Sequence, residues 1–238
     1  MRFSSPLVRA RLERRYKRFL ADVVFDSGEH ATVACPNTGS LLGLQAPGST
    51  VWLSRSEAAT RKFPHTWEMI ENDLGRGPTL VGINPMFPNR LVAEALAADA
   101  IGELAGYETV RPEVRYGSEK SRIDFLLEDA GKGTCYVEIK NVHLMRNAGH
   151  AEFPDCTTAR GAKHLRELSA MVAQGHRAVM LYLIQRQDAE QFSICGDFDP
   201  AYAEAFRLAR EAGVETIAYR CRLSTDEIVI DRGVPIVG

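Results

Sequence analysis

Two acidic residues and a lysine interrupt apolar runs that would otherwise suit a protein core. Asp124 lies in RIDFLL (122–127), and Glu138 and Lys140 lie in CYVEIK (135–140). Alternate residues of a strand share a face, so Glu138 and Lys140 project together. If the two runs form an antiparallel hairpin centred on Gly131, Asp124 faces Glu138, with Cβ atoms roughly 4.5–5.5 Å apart. Like charges placed so close destabilise a sheet unless a cation compensates them.

Lys140 or a divalent cation could supply that compensation. Two carboxylates at this separation suit Mg²⁺ or Mn²⁺, and a lysine beside the metal could orient or deprotonate an attacking water. This pattern predicts metal-dependent phosphodiester hydrolysis, with Asp124 and Glu138 as catalytic metal ligands and Lys140 as a catalytic residue. The alternative is an incidental ion pair on the solvent face of an edge hairpin, because E-x-K alone is a weak signal.

The elements that flank the hairpin predict an α/β domain with a mixed sheet over residues 83–238. Helical periodicity follows NPMFPN (84–89), with Asn89 suited to cap the helix. Two further helices are predicted in TTARGAKHLRELSAMVAQG (157–175) and DPAYAEAFRLAREAG (199–213). Between them, RAVMLYLIQR (177–186) has the continuous apolar run of a buried strand.

Residues 1–82 predict a different architecture. About five short strands separated by Gly- and Pro-containing turns fit a small OB-like barrel, which is a common nucleic-acid-binding scaffold. Trp52, Phe63 and Trp67 could stack on bases, although a Trp in such a barrel more often fills the core.

The α-β-β-β-α-β order, with Asp124 on the second strand and Glu138-x-Lys140 on the third, resembles the core of the PD-(D/E)XK nuclease superfamily. Many members of that superfamily add a glutamate from the preceding helix. The resemblance therefore implies Glu94 as a further metal ligand, with Glu103 as a weaker candidate. The alternative for Glu94 is an ordinary surface glutamate.

A second resemblance covers nearly the whole chain. Its segments are RYKRFLADV, CPNTGSLLGL, HTWE, NRLVAEAL, SRIDFLL, YVEIKNV and FPDCTTARGAKHLREL. In this order they resemble the sugar fermentation stimulation protein family. The resemblance implies an N-terminal OB-like barrel, a C-terminal restriction-endonuclease-like domain, DNA binding and a regulatory role in sugar (maltose) metabolism. Cys156 departs from the pattern, where a small residue such as Ala is expected.

Basic and polar residues around these motifs predict a nucleic-acid surface. Residues 1–20 hold seven Lys or Arg against one acid, which fits phosphate contact or a protected edge strand. The helix at 157–175 places further cations on one face, which is either a phosphate-binding face or a solvated one. The predicted nucleic-acid-binding residues are Arg15, Lys17, Arg18, Asn37, Arg122, Arg160, Lys163 and His164.

The remaining composition narrows the class of protein. The net charge is −2, and the five cysteines have no close spacing of the zinc-site kind. No run approaches the ~20 apolar residues of a membrane helix, and the N-terminus has no apolar signal-peptide core, so we expect a cytoplasmic protein. Two functions remain open: a nuclease acting on DNA, with RNA as the alternative substrate, or a non-catalytic DNA-binding regulator on a nuclease-like fold.

Overall fold

Short strands close the first part of the chain into a barrel in the computed structural model, which describes residues 1–58 and 60–238. β1 pairs antiparallel with β2 and β4, β4 pairs with β5, and a β3–β5 bridge closes the ring. Trp67 is 1% exposed in the centre, so it fills the core and offers no stacking surface. The predicted OB-like barrel is confirmed. Its strands are β1 (Val8–Tyr16), β2 (Leu20–Phe25), β3 (His30–Ala34), β4 (Thr50–Arg55), β5 (His65–Asn72) and the appended β6 (Thr79–Gly82).

A mixed sheet forms the second part, in the strand order β15-β14-β12-β9-β8-β7, with a small sheet β10-β11-β13 beside it. This confirms the predicted nuclease-like α/β architecture. Its elements are α1 (Phe87–Ala97), a 3₁₀ turn (Gly102–Leu104), β7 (Thr109–Tyr116), β8 (Ser121–Asp129), β9 (Gly133–Val142), β10 (Leu144–Asn147), β11 (His150–Phe153), α2 (Ala159–Ala173), β12 (Arg177–Ile184), β13 (Gln191–Ile194), α3 (Pro200–Glu211), β14 (Glu215–Leu223) and β15 (Ile228–Gly233).

The continuous apolar run of β12 is explained by burial on both faces. Val179, Leu181 and Leu183 join the core cluster that contains the apolar face of α1. Met180 and Tyr182 join the cluster that contains α2 and α3. β12 lies between β9 and β14, parallel to both, so neither edge nor face of this strand meets solvent.

The β8–β9 hairpin has the predicted register. Its pairs run from Asp129–Gly133 to Phe125–Val137, all centred on residue 131. The regular pairing stops there, one step before Asp124 would face Glu138. At that point the Asp124 carboxylate takes over the role of a backbone acceptor, because Oδ2 accepts a hydrogen bond from the Ile139 N–H at 2.7 Å.

The two parts of the chain contact each other through buried polar groups. Gly82 N–H donates to the Gln185 carbonyl. Ser40 Oγ, from the loop after β3, donates to Asp155 Oδ2 at 2.7 Å. The barrel is therefore fixed against the sheet at the end where α2 begins. Among the described residues, no helix has the length and apolarity that crossing a membrane requires.

Candidate active site

Asp124 and Glu138 open into one cleft of about 330 Å³. β8 and β9 supply the carboxylates, and the start of α2 forms the opposite wall. The other residues that line the cleft are Glu113, Lys120, Ser121, Arg122, Arg160, Lys163 and His164. The structure therefore brings together seven of the residues predicted for the site: Asp124, Glu138, Arg122, Arg160, Lys163 and His164 at the cleft, and Lys140, which bonds Glu138.

Glu138 is the most buried group of the cleft, at 3% exposed. Its Oε1 accepts a hydrogen bond from Lys140 Nζ at 2.7 Å and another from His164 Nδ1. Burial alone would raise the pKa of Glu138, but the Lys140 and His164 groups outweigh it and hold the pKa below its usual value. Its Oε2 is buried and has no hydrogen-bond partner among the described residues. The site thus keeps an ionised carboxylate that has one oxygen without a hydrogen-bond partner.

His164 holds the Glu138 carboxylate through a hydrogen bond. Arg160 Nε donates to His164 Nε2 at 3.3 Å, which makes Nε2 the acceptor and leaves Nδ1 to donate to Glu138. His164 is 4% exposed, so it presents little surface to a phosphate. The sequence predicts His164 as a nucleic-acid-binding residue. In the structure His164 instead contacts the Glu138 carboxylate and positions it.

Asp124 is held on both of its oxygens. Oδ2 accepts from Ile139 N–H, and Oδ1 accepts from Asn89 Nδ2 at 2.9 Å. Burial, reinforced by the Glu138 charge, raises the pKa of Asp124 above its usual value. Asn89 was missed as a site residue because it was expected to cap α1. The helix begins at Phe87 with Met86 as N-cap, so Asn89 lies in its first turn and reaches Asp124.

The structure does not bring Glu94 to this cluster. Its Oε2 lies 2.6 Å from the ammonium group of Met1, and its Oε1 lies 3.3 Å from Arg90 Nε. Glu94 follows Asn89 by five residues, which rotates its side chain about 140° around the helix axis. Glu103 is also engaged elsewhere, since its carboxylate accepts from the Tyr219 hydroxyl at 2.6 Å.

Two of the predicted nucleic-acid-binding residues hold the barrel loop instead. The terminal guanidinium nitrogens of Arg15 donate to the carbonyls of Asn37, Gly39, Ser40 and Arg18. Asn37 is 5% exposed and donates to the Ile83 carbonyl. Their side chains are therefore committed to the fold. Lys17 and Arg18 remain on the surface, in the turn between β1 and β2.

The donor set suits a hard divalent ion that retains water. Within residues 1–58 and 60–238, no three His, Cys, Asp or Glu side chains converge as a complete metal shell. Two carboxylates, one with an open buried oxygen, are present in the cleft. Mg²⁺ usually binds through one or two carboxylates with waters and substrate phosphate completing the shell, so the residues fit this ion or the related Mn²⁺.

Comparison with known proteins places both parts of the chain. Residues 14–83 match the family model described as the SfsA N-terminal OB domain, and residues 86–227 match the sugar fermentation stimulation protein RE domain. A sugar fermentation stimulation protein homolog of Azorhizobium caulinodans is 57% identical, with 100% of both chains covered. One from Rhodospirillum centenum is 58% identical over 98% of this chain and 97% of the relative.

A solved structure resembles the whole chain. It is described as Pyrococcus furiosus SfsA in complex with Ca²⁺, and it aligns with a TM-score of 0.85 at 28% identity. The alignment covers 100% of this chain and 98% of that one. The barrel and the sheet therefore recur together, in the same arrangement, in a distant relative.

Proposed function

This chain belongs to the sugar fermentation stimulation protein family, and from that premise we propose that it is a metal-dependent nuclease that acts on DNA. The observation that carries the proposal is that Oε2 of an ionised Glu138 is buried and has no hydrogen-bond partner among the described residues. Glu138 lines the same cleft as Asp124. A carboxylate oxygen without a partner is costly to bury, and a bound cation would satisfy it.

Asp124 and Glu138 would hold a single Mg²⁺ or Mn²⁺. When bound, the ion supplies Lewis-acid stabilisation of the phosphate and lowers the pKa of a coordinated water. The Ca²⁺ complex of the Pyrococcus furiosus relative supports divalent-cation binding by this family. Asn89 and the Ile139 N–H orient Asp124, so its carboxylate is preorganised for this role.

Lys140 has two tasks in this proposal. Its ammonium group lies 2.7 Å from Glu138 Oε1 and helps to keep that carboxylate ionised inside the protein. In this proposal its Nζ also orients the attacking water or stabilises negative charge on the phosphorane. His164 also bonds Glu138 Oε1, which leaves Oε2 as the oxygen available to a metal ion.

The charge around the cleft favours a phosphodiester substrate. Lys120, Arg122, Arg160 and Lys163 line it, and Glu113 is the one additional acid among the lining residues. Cations that flank a pair of metal-binding carboxylates would hold the phosphates on either side of the scissile bond. DNA is the proposed substrate, and RNA would contact the same phosphate-binding groups.

The test is a cleavage assay on plasmid DNA, single-stranded DNA and RNA, with Mg²⁺, Mn²⁺ or EDTA. We expect metal-dependent cleavage of at least one substrate, lost in Lys140→Ala. Lys132→Ala is the matched control, because Lys132 lies at the far end of the same hairpin and bonds the Ala105 and Gly106 carbonyls. Absence of metal-dependent cleavage of all three substrates by the wild-type protein would overturn the proposal.

The second candidate is a non-catalytic DNA-binding regulator, which would give the sugar-metabolism role suggested by the family name a physical basis. The cation-lined cleft supports DNA binding in either case. A protein that binds DNA with a clear salt dependence, but cleaves none of the three substrates, would favour the regulator.

A further inference from the structure

The turn between β1 and β2 has a strained backbone and an exposed aromatic ring. Lys17 and Arg18 have φ values of 49° and 66°, in the left-handed region that non-glycine residues seldom adopt. Each such residue costs roughly 1 kcal/mol, and Asn or Gly is usual in tight hairpin turns. Phe19 follows them and is 52% exposed. The Phe19 ring does not belong to the core of the barrel.

The backbone of this turn is nevertheless firmly held. Arg15 Nη2 donates to the Arg18 carbonyl at 2.8 Å, and Arg18 Nε donates to the Thr38 carbonyl at 2.8 Å. The Cys35 N–H donates to the Phe19 carbonyl at 2.8 Å. Within the described residues, the Phe19 ring pairs with no other aromatic ring. The backbone of the turn is thus fixed, and Lys17, Arg18 and Phe19 are exposed on it, with Arg18 Nε engaged by the Thr38 carbonyl.

A chain of contacts links the turn to the segment that precedes α2. The loop that Arg15 and Arg18 hold donates through Ser40 to Asp155, just ahead of α2. The Arg18 charge acts on the Cys156 thiol, where it opposes the rise in pKa that burial causes. α2 then carries Arg160 and His164, which lead to Glu138. Arg18 is therefore beside the start of the helix that forms the cleft wall.

We propose that Lys17, Arg18 and Phe19 form a finger that grips a single-stranded segment of nucleic acid as it leaves the cleft. The two cations would contact phosphates, and the Phe19 ring would stack on an unpaired base, a combination used by sequence-tolerant single-strand binders. The proposal rests on the nuclease function and deepens it, because it makes the substrate one with unpaired bases next to the scissile bond.

The test compares Phe19→Leu, which keeps the apolar surface but removes the ring, with Phe19→Trp, which restores it. Binding of a fluorescein-labelled single-stranded oligonucleotide is followed by anisotropy in EDTA, so that cleavage does not interfere. We expect roughly tenfold weaker binding for Phe19→Leu, near wild-type binding for Phe19→Trp, and a much smaller loss on blunt duplex DNA. In Phe19→Trp, added oligonucleotide should quench more tryptophan emission than in the wild type.

Leu208→Ala is the matched control, because Leu208 is 50% exposed and lies on α3. It should bind like the wild type. Equal single-strand affinities for Phe19→Leu and the wild type, or no additional quenching in Phe19→Trp, would overturn the finger. If the wild type cleaves nucleic acid with metal while Phe19→Leu binds and cleaves normally, only the finger fails. If the wild type neither binds nor cleaves, the nuclease function fails as well.

Discussion

Glu68 and Glu138 are glutamates of almost equal burial, at 5% and 3% exposed, in very different surroundings. Glu68 lies where the barrel meets the sheet, and both of its oxygens accept hydrogen bonds, from Ser54 Oγ at 2.5 Å and Asn84 Nδ2 at 2.6 Å. Burial raises the pKa of Glu68, and these bonds do not reverse that effect. Glu68 is therefore held by neutral donors on both oxygens and completes the contact between barrel and sheet.

Glu138 shows the opposite pattern. Lys140 and His164 outweigh the effect of burial and lower its pKa, and its Oε2 has no partner among the described residues. Burial by itself favours a neutral carboxyl, so an ionised one requires cations placed for it. The contrast separates these two glutamates: Glu68 has both oxygens satisfied by neutral donors, whereas Glu138 is held ionised and keeps one oxygen without a partner among the described residues.

Two arginines repeat this contrast. The terminal nitrogens of Arg15 are spent on four loop carbonyls, and its predicted contact with nucleic acid is replaced by support of the loop at 37–40. Arg122 lies beside Asp124, is exposed and lines the cleft. A phosphate could reach the Arg122 guanidinium without breaking a bond that the fold needs.

The largest expected effect separates the two glutamates. Glu138→Gln should lower metal-dependent cleavage on the order of 100-fold or more, because it removes a charged ligand from the cleft. Glu68→Gln replaces a carboxyl outside the cleft with an amide of the same shape and should keep cleavage within about twofold of wild type. Initial rates under saturating Mg²⁺ provide the measurement. Equal losses of cleavage in the two variants would show that Glu138 has no more direct role in the reaction than Glu68.

The next largest effect concerns the stability of the Arg15 and Arg122 variants. Arg15→Ala should lower the free energy of unfolding by about 2 kcal/mol, because it strands loop carbonyls that a charged donor satisfied. Arg122→Ala should change it by less than about 0.5 kcal/mol and instead reduce the slope of log K against log salt by about one. Urea denaturation and binding titrations at several salt concentrations provide these values. A loss of stability in Arg122→Ala together with a reduced salt slope in Arg15→Ala would indicate that nucleic acid contacts the loop at 37–40 and not the cleft.

Asn89 and Glu94 both lie on α1, and their variants should differ in cleavage activity. Loss of the hydrogen bond to Asp124 Oδ1 should free this carboxylate and lower cleavage roughly tenfold, as is usual when the support of a metal ligand is removed. Glu94→Gln is the control and should retain activity, since Glu94 pairs with Met1 and Arg90. A stronger loss in Glu94→Gln than in Asn89→Ala would restore Glu94 as a ligand.

The smallest effect concerns the pH dependence of stability. The folded-state pKa of Glu68 is raised, so above the ordinary value of 4.5 the native state retains a proton that the unfolded state releases. This contribution to the free energy of unfolding is full below that value and is lost as pH rises through the raised pKa. Glu68→Gln cannot titrate, so its stability relative to wild type should improve from pH 5 to pH 8. Denaturant midpoints at the two pH values check the sign.

Local patterns predicted the frame of the molecule well. The continuous apolar run of β12 indicated a strand buried on both faces, and the two-residue period of β8 and β9 placed their pairing about Gly131. Both inferences depend on residues close in sequence. The turn chemistry and strand lengths of the barrel are local in the same way.

The site was harder because it depends on how elements meet. A three-residue difference in where α1 starts decides whether Asn89 caps the helix or reaches Asp124, and Glu94 then points elsewhere. The depth of His164 depends on how closely α2 packs on β9. The commitment of Arg15 to loop carbonyls more than 20 residues away has no signature in its neighbours.

Mn²⁺ binding followed by electron paramagnetic resonance tests whether Asp124 and Glu138 hold one divalent ion, and it does not require catalysis. We expect one bound Mn²⁺ per wild-type chain, binding lost in Asp124→Asn and Glu138→Gln, and binding retained in Glu68→Gln. A wild-type protein that binds no Mn²⁺, or a Glu138→Gln variant that binds it as tightly as the wild type, would show that these carboxylates do not form a metal site.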